Sequence, residues 1–102
     1  MDISEFTVEN MTPLVGSKWV IEIPGGQTFE LELMNVVKAI DKHIDSRLTR
    51  DSFAMRFLGP VNVYLPQATY TMTNEQVGGA KEIFIVPTGR EAGRYAYEAI
   101  FG

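Results

Sequence analysis

The chain has 102 residues, of which 45% are hydrophobic and 22% are charged, proportions typical of one soluble globular domain. Its formal net charge of −4 disfavours nucleic acid as a partner, because proteins that bind phosphate backbones need clustered Lys and Arg. Cysteine is absent, which excludes disulfides, thiolate nucleophiles and cysteine-ligated metals. The first residues are acidic and no segment reaches the ~20 apolar residues of a membrane span, so we predict a cytoplasmic protein with no membrane partner.

The N-terminal segment contains two signals for helix starts. Thr7 can act as an N-cap, and Thr12 precedes Pro13, a residue favoured at the first helical position. Gly16 is a typical helix stop. We therefore predict a short N-terminal helical segment. The side chains expected to face the core are Phe6, Met11 and Leu14.

A first β-hairpin is predicted between Trp19 and Leu33. Apolar and polar residues alternate on both sides of Pro24-Gly25-Gly26-Gln27, the pattern of two half-buried strands joined by a glycine-containing turn. The residues expected on the solvated face are Glu22, Glu30 and Glu32.

Between Lys38 and Arg50 the composition becomes polar, and the pattern is ambiguous. Ile40, Ile44 and Leu48 are spaced as one stripe of a short helix, whereas the charged residues between them are typical of a hairpin loop that extends two strands. We favour the loop, because the segment has no helix caps and β patterns flank it on both sides.

The C-terminal half indicates further strands at residues 53–57, 68–72, 83–86 and 95–101, separated by turn residues. Residues 83–86 are apolar without alternation, which predicts a strand covered on both faces. About six strands in a chain of this length favour an all-β fold with a single domain over residues 1–102. We predict a small antiparallel β-barrel or sandwich.

Four motifs resemble those of an uncharacterised family of small bacterial all-β domains of unknown function. They are Phe57-Leu58-Gly59-Pro60, Leu65-Pro66-Gln67-Ala68-Thr69-Tyr70, Ile83-Phe84-Ile85-Val86-Pro87 and Tyr97-Glu98-Ala99-Ile100-Phe101. The resemblance implies a single-domain protein whose family is associated with phage tail-collar-like neighbours. It implies no catalytic or binding residues, because none is established for the family.

The sequence offers little for catalysis or metal binding. His43 is the only histidine, so a centre that needs several imidazoles is excluded within one chain. Asp41, His43 and Asp45 have a spacing that could hold a metal, but their polar surroundings favour a solvated loop. An enzyme could use Asp41 with Asp45, or Glu91 with Glu98, as a carboxylate pair, although no spacing argument supports either pair. We therefore predict no enzymatic activity, no metal and no cofactor.

A protein-interaction module, structural or accessory in a phage-tail-like or surface assembly, is the function we favour. The last strand suggests an edge for pairing with another protein or a second copy of the chain, and tyrosine and arginine are common at interfaces. The residues predicted for this interface are Tyr95, Tyr97, Phe101, Arg90 and Arg94. The alternative is a carrier that holds an apolar ligand within a barrel lined by aromatic residues.

Overall fold

The computed structural model describes residues 1–40 and 52–101. The strands are β1 (Lys18–Glu22), β2 (Thr28–Ile40), β3 (Ser52–Val61), β4 (Ala68–Thr73), β5 (Lys81–Glu91) and β6 (Arg94–Phe101). They form a closed antiparallel barrel in the order β1-β2-β3-β6-β5-β4, and β1 pairs with β4 to complete it. The all-β fold is confirmed, and the structure selects the barrel over the sandwich.

A short helical segment precedes the barrel, as predicted. It comprises a 3-10 turn at Ile3–Glu5, helix α1 at Val8–Met11 and a second 3-10 turn at Thr12–Leu14. Thr7 is the N-cap of α1, and its hydroxyl accepts a hydrogen bond of 3.0 Å from the backbone N–H of Asn10. The cap of the second 3-10 turn is Met11 instead of Thr12.

This segment covers one end of the barrel. The ring of Phe6 is fully buried, and its centroid lies 6.3 Å from that of Trp19 and 5.5 Å from that of Phe101. Met11 and Leu14 are also buried, so the predicted inward face is confirmed. Within the described ranges, no helix is both long and apolar enough to cross a membrane.

The first hairpin has the predicted alternation. Trp19 lies opposite Leu31 and Ile21 lies opposite Phe29, and these side chains point towards the core. Gly25 and Gly26 form the turn with φ of 101° and 91°, a region of backbone conformation that glycine adopts without steric cost.

Strand β2 extends further than the sequence indicated. Its pairing with β3 continues to the pair of Ile40 and Ser52, so residues 38–40 extend the strand, as the hairpin alternative predicted, and do not begin a helix. Backbone hydrogen bonds to β3 stabilise this polar stretch, and the composition of a strand end does not reveal such a partner. The remainder of the ambiguous segment lies outside the described residues.

The C-terminal strand has two neighbours over most of its length. Between Arg94 and Glu98, β6 pairs with β3 on one side and with β5 on the other, as closure of a barrel requires. Residues 99–101 pair with β3 alone. The predicted edge is therefore wrong between Arg94 and Glu98, while association with another protein or a second copy stays a prediction.

Strand β5 is covered on one face only. Ile83 and Ile85 are buried, but Phe84 between them is 50% exposed. The prediction of a strand covered on both faces is thus wrong at Phe84, which lies on the outer wall of the barrel.

Candidate functional site

The five residues predicted for an interface do not form one surface. Tyr97 is fully buried and Phe101 is half-buried against the core, whereas Arg90 is exposed at the tip of the β5–β6 hairpin. Tyr95 and Arg94 are half-buried near the same tip. The structure therefore divides the predicted set into core residues and hairpin-tip residues.

Tyr97 anchors the connection between β3 and β4 to the barrel. Its hydroxyl accepts a hydrogen bond of 2.8 Å from the backbone N–H of Leu65 and lies 3.3 Å from the carbonyl oxygen of Val63, to which it donates. Burial raises the pKa of this hydroxyl above its ordinary value. The hydrogen bond from Leu65 lowers the pKa by a smaller amount. Tyr97 therefore has a structural role and is unavailable to a partner.

Phe101 belongs to the aromatic cluster at the end of the barrel. Its ring stacks on that of Phe53 with centroids 5.3 Å apart and an interplanar angle of 21°. Together with its contact to Phe6, this packing assigns Phe101 to the core instead of an interface.

Arg94 is held by the barrel wall. Its Nε donates a hydrogen bond of 2.6 Å to the carbonyl oxygen of Gly59, and its Nη1 lies 3.5 Å from a carboxylate oxygen of Glu32. These contacts join β6 to β3 at the register shift between Leu58 and Val61. Because its guanidinium is already paired, Arg94 is a weak candidate for direct contact with a partner.

Arg90 and Tyr95 form an exposed cluster with two residues of the β3–β4 connection. The Tyr64 and Tyr95 rings meet edge to face with centroids 5.2 Å apart, and Cζ of Arg90 lies 4.8 Å from the Tyr95 centroid. Nη2 of Arg90 is also 3.5 Å from Oδ1 of Asn62. We call Asn62, Tyr64, Arg90 and Tyr95 the tyrosine–arginine patch.

The tight turn at Ala92 and Gly93 positions this patch. Both residues have positive φ, 50° and 78°, as the primed two-residue turns of β-hairpins require. Nη2 of Arg90 lies 3.4 Å from the carbonyl oxygen of Gly93, a contact that directs the arginine over the hairpin tip. The patch therefore has a defined geometry although it is exposed.

Sequence reasoning missed Tyr64 and Asn62. Both lie in the connection that follows Gly59-Pro60, where strand alternation gives no information about which side chains meet. The one available signal was a tyrosine within a turn-rich segment. Its contact with Tyr95 depends on the fold of that connection over the end of the barrel.

A second surface feature is a depression of about 280 Å³ on the outer wall, lined by residues of β2, β3, β5 and β6. Its polar lining includes Asn35, Arg56, Thr88, Glu91 and Glu98. The two glutamates considered as an enzymatic pair thus line the same depression. Nε of Arg56, however, lies 3.1 Å from Oε2 of Glu98. This arrangement favours charge recognition over proton transfer, because one carboxylate is already paired.

A third feature is a groove of about 580 Å³ between β1 and the turn at residues 74–79. Asn74, which is buried, joins these elements: its Nδ2 donates hydrogen bonds of 3.0 Å to Oγ of Ser17 and to the carbonyl oxygen of Lys18. Its Oδ1 accepts from the backbone N–H groups of Gln76 and Val77. All of these bonds are internal, so they stabilise the groove and leave Asn74 little capacity for a ligand.

The interior of the barrel contains packed side chains. The largest fully buried residues include Trp19, Tyr97, Phe57 and Met55, and the Trp19 and Phe57 centroids are 5.8 Å apart. These rings occupy space that a carrier of an apolar ligand would need. The depression and the groove described above both open on the outer wall.

The spacing considered for a metal site, Asp41, His43 and Asp45, lies outside the described residues. Within residues 1–40 and 52–101, no group of three His, Cys, Asp or Glu side chains is placed to hold a metal ion.

A family described as a domain of unknown function, DUF6916, matches residues 6–101. The match covers every strand of the barrel. Neither a curated protein nor a solved structure matches the chain.

Proposed function

The chain belongs to the DUF6916 family of domains of unknown function, and we propose that it is a non-enzymatic protein-interaction module that binds its partner through the tyrosine–arginine patch. The observation that carries this proposal is the contact of the exposed Tyr64 and Arg90 with the half-buried Tyr95. Tyrosine and arginine are enriched in interface cores and among the residues whose truncation most weakens binding.

The organisation of the patch supports binding. Tyr64 is 55% exposed, yet its ring packs against Tyr95, which in turn contacts the guanidinium of Arg90. Such contacts restrict the side chains before a partner arrives, which lowers the entropy that binding would otherwise cost. Val61, 62% exposed, adds apolar surface at the end of β3.

A non-enzymatic role is supported by the placement of the ionisable side chains. Carboxylates on the outer wall form ion pairs across strands: Glu98 with Arg56, Glu32 with Arg94 and Glu30 with Lys18. Paired charges on a wall suit recognition and solubility, whereas acid–base catalysis needs groups that converge on a reacting atom.

The partner we propose is a component of a phage-tail-like or surface assembly. This choice rests on the resemblance to a family with phage tail-collar-like neighbours, and it selects proteins encoded by adjacent genes as the first to test. A rigid barrel that presents one fixed patch is suited to a structural or accessory role in such an assembly.

Binding of purified candidate partners tests the proposal, with Tyr64→Ser and Arg90→Glu as patch variants. Phe84→Ser is the matched control, because Phe84 is similarly exposed but lies on the outer wall of β5. We expect both patch variants to lose binding by roughly tenfold or more, as hot-spot residues do, while the control binds as the native chain does.

Circular dichroism and light scattering complete the test. All three variants should keep the β spectrum, and light scattering reports whether the native chain binds a second copy instead. Unchanged partner binding by both Tyr64→Ser and Arg90→Glu contradicts the proposal, as does a native chain that binds neither a candidate partner nor itself.

A further inference from the structure

We infer that the depression on the outer wall receives a basic side chain, lysine or arginine, from the partner protein. This inference rests on the proposed function and adds the chemistry of the partner. It derives from the shape of the depression, from the charges around it and from one buried atom without a hydrogen-bond partner.

The shape follows from the register of three strands. Leu58 of β3 pairs with Ala96 of β6, which pairs with Gly89 of β5. This row carries little side-chain volume at Ala96 and none at Gly89, whereas long side chains stand in the rows on both sides. The flanking residues are Arg56 and Glu98 in one row and Arg94 and Glu91 in the other. A slot with an apolar floor and a charged rim results.

One carboxylate of the rim forms no ion pair with the described residues. Arg56 is paired with Glu98 and Arg94 is paired with Glu32. Glu91 lines the depression and forms no ion pair with any of the described residues. A cation bound beside Glu91 would complete the charge pairing of the rim, in a protein whose formal net charge is −4.

The buried atom is Oδ1 of Asn35. It has no hydrogen-bond partner among the described residues, and Asn35 lines the depression beside Arg56. Buried polar atoms are normally paired, and an unpaired one destabilises the fold. Asn35 stands in the row of Arg56 and Glu98, across the Leu58–Ala96 row from Glu91. A hydrogen-bond donor of the partner at this end of the depression would therefore be a contact separate from the one to Glu91.

Lysine and arginine fit this combination. Their aliphatic stems pack along apolar surface while the charged head remains at a polar rim. Here the stem would lie over Leu58 and Ala96, and the head would meet Glu91. An acidic side chain would face the unpaired Glu91, and an apolar one would leave that carboxylate without a counter-charge.

The depression and the tyrosine–arginine patch flank the same hairpin. Tyr95 and Ala96 are consecutive in β6, so their side chains point to opposite sides of the strand. A partner that reaches around the hairpin tip would contact the patch on one side of β6 and place a basic side chain in the depression on the other.

Nuclear magnetic resonance titration with small probes tests this inference without the partner. The probes are N-acetyl-arginine methylamide and its neutral counterpart N-acetyl-citrulline methylamide, which differ chiefly in charge. We expect the arginine probe to shift backbone amide signals of Asn35, Arg56, Glu91 and Ala96, with weaker binding at higher salt. The citrulline probe should bind at least fivefold more weakly.

Three variants separate charge, shape and background effects. Glu91→Gln should weaken binding of the arginine probe roughly fivefold. Glu9→Gln, an exposed control in α1, should leave the affinity for the probe unchanged. Ala96→Leu should abolish binding by filling the floor of the slot. Because Ala96 points outward, its variant is expected to keep the β spectrum.

Equal binding of the two probes overturns the inference, as does unchanged affinity in Glu91→Gln or in a folded Ala96→Leu. An arginine probe that shifts none of these signals also overturns it. Tyr64→Ser distinguishes this failure from failure of the proposed function. That variant should no longer bind the partner but should still bind the arginine probe. Partner binding therefore tests the proposed function, and probe binding tests this inference.

Discussion

The hydroxyl of Tyr97 accepts a hydrogen bond of 2.8 Å from the backbone N–H of Leu65. Both residues are buried, and they belong to segments that are 32 positions apart in the chain. The bond holds the β3–β4 connection against β6, and that connection carries Tyr64 and Asn62. The geometry of the exposed patch therefore depends on a hydrogen bond within the core.

Tyr97→Phe should lower the free energy of unfolding by about 1–3 kcal/mol, because it leaves the buried N–H of Leu65 without an acceptor. Urea denaturation measures the change. Tyr64→Phe is the control, since the exposed hydroxyl of Tyr64 has no described hydrogen bond and its loss should change stability little. Equal stability of Tyr97→Phe and the native chain would show that the Leu65 bond contributes nothing.

Stability should fall as the pH rises above about 10. Burial raises the pKa values of Tyr97 and Tyr70 above the ordinary value of 10.0. In this pH range the folded chain retains tyrosine protons that the unfolded chain releases. The two hydroxyls therefore contribute fully to the free energy of unfolding below the pKa of the unfolded chain, and this contribution is lost as the pH rises through the pKa of the folded chain. Urea denaturation across this range should show a smaller fall for Tyr97→Phe, and an identical pH dependence would refute the assignment.

Gly59 is required by the ring of Tyr97. A Cβ at position 59 would lie 2.8 Å from Cε2 of Tyr97, closer than van der Waals contact allows. Gly59→Ala should therefore cost about 1–3 kcal/mol of stability, as overpacked core substitutions do. A double-mutant cycle with Tyr97→Leu checks the cause: the cost of Gly59→Ala should shrink when the ring is absent, and additive effects would exclude a clash with Tyr97.

Asn74→Ala should destabilise the turn at residues 74–79 more than a surface substitution would. It removes all four side-chain hydrogen bonds of Asn74, and we expect a loss of at least about 2 kcal/mol from the groups left unpaired. Hydrogen exchange of the Gln76 amide should accelerate. Gln67→Ala, at an exposed position with no positive φ and no described side-chain hydrogen bond, is the control, and a similar loss in both variants would argue against a special role for Asn74.

Ala92→Asn should stabilise the β5–β6 hairpin. Ala92 has a φ of 50°, and asparagine tolerates this left-handed region better than alanine, particularly before glycine in a tight hairpin turn. Thermal and urea denaturation should show a gain of about 0.5–1 kcal/mol. Ala80→Asn, exposed and without positive φ, should show no gain. A loss of stability at position 92 would contradict the turn geometry.

The sequence by itself determined the strands and their inward faces. The alternation around Pro24-Gly25-Gly26-Gln27 places Trp19, Ile21, Leu31 and Leu33 on the face opposite the solvated glutamates, because burial in a half-covered strand repeats every second residue, a property of the local chain. The helix-start signal at Thr7 and the hairpin turn at Gly25 and Gly26 were equally local. Those features depend on residues within a few positions of one another.

Only the tertiary structure decided which strands are neighbours and therefore which side chains meet. The order β1-β2-β3-β6-β5-β4 gives β6 two partners, buries Tyr97 and brings Tyr64 to Tyr95. It also aligns Ala96 with Gly89 to form the depression. These relationships depend on register between strands distant in the chain, and the alternation within a single strand is the same for many such arrangements. For that reason the sequence identified only Arg90 and Tyr95 of the tyrosine–arginine patch. The other two residues, Asn62 and Tyr64, join them only in the folded barrel.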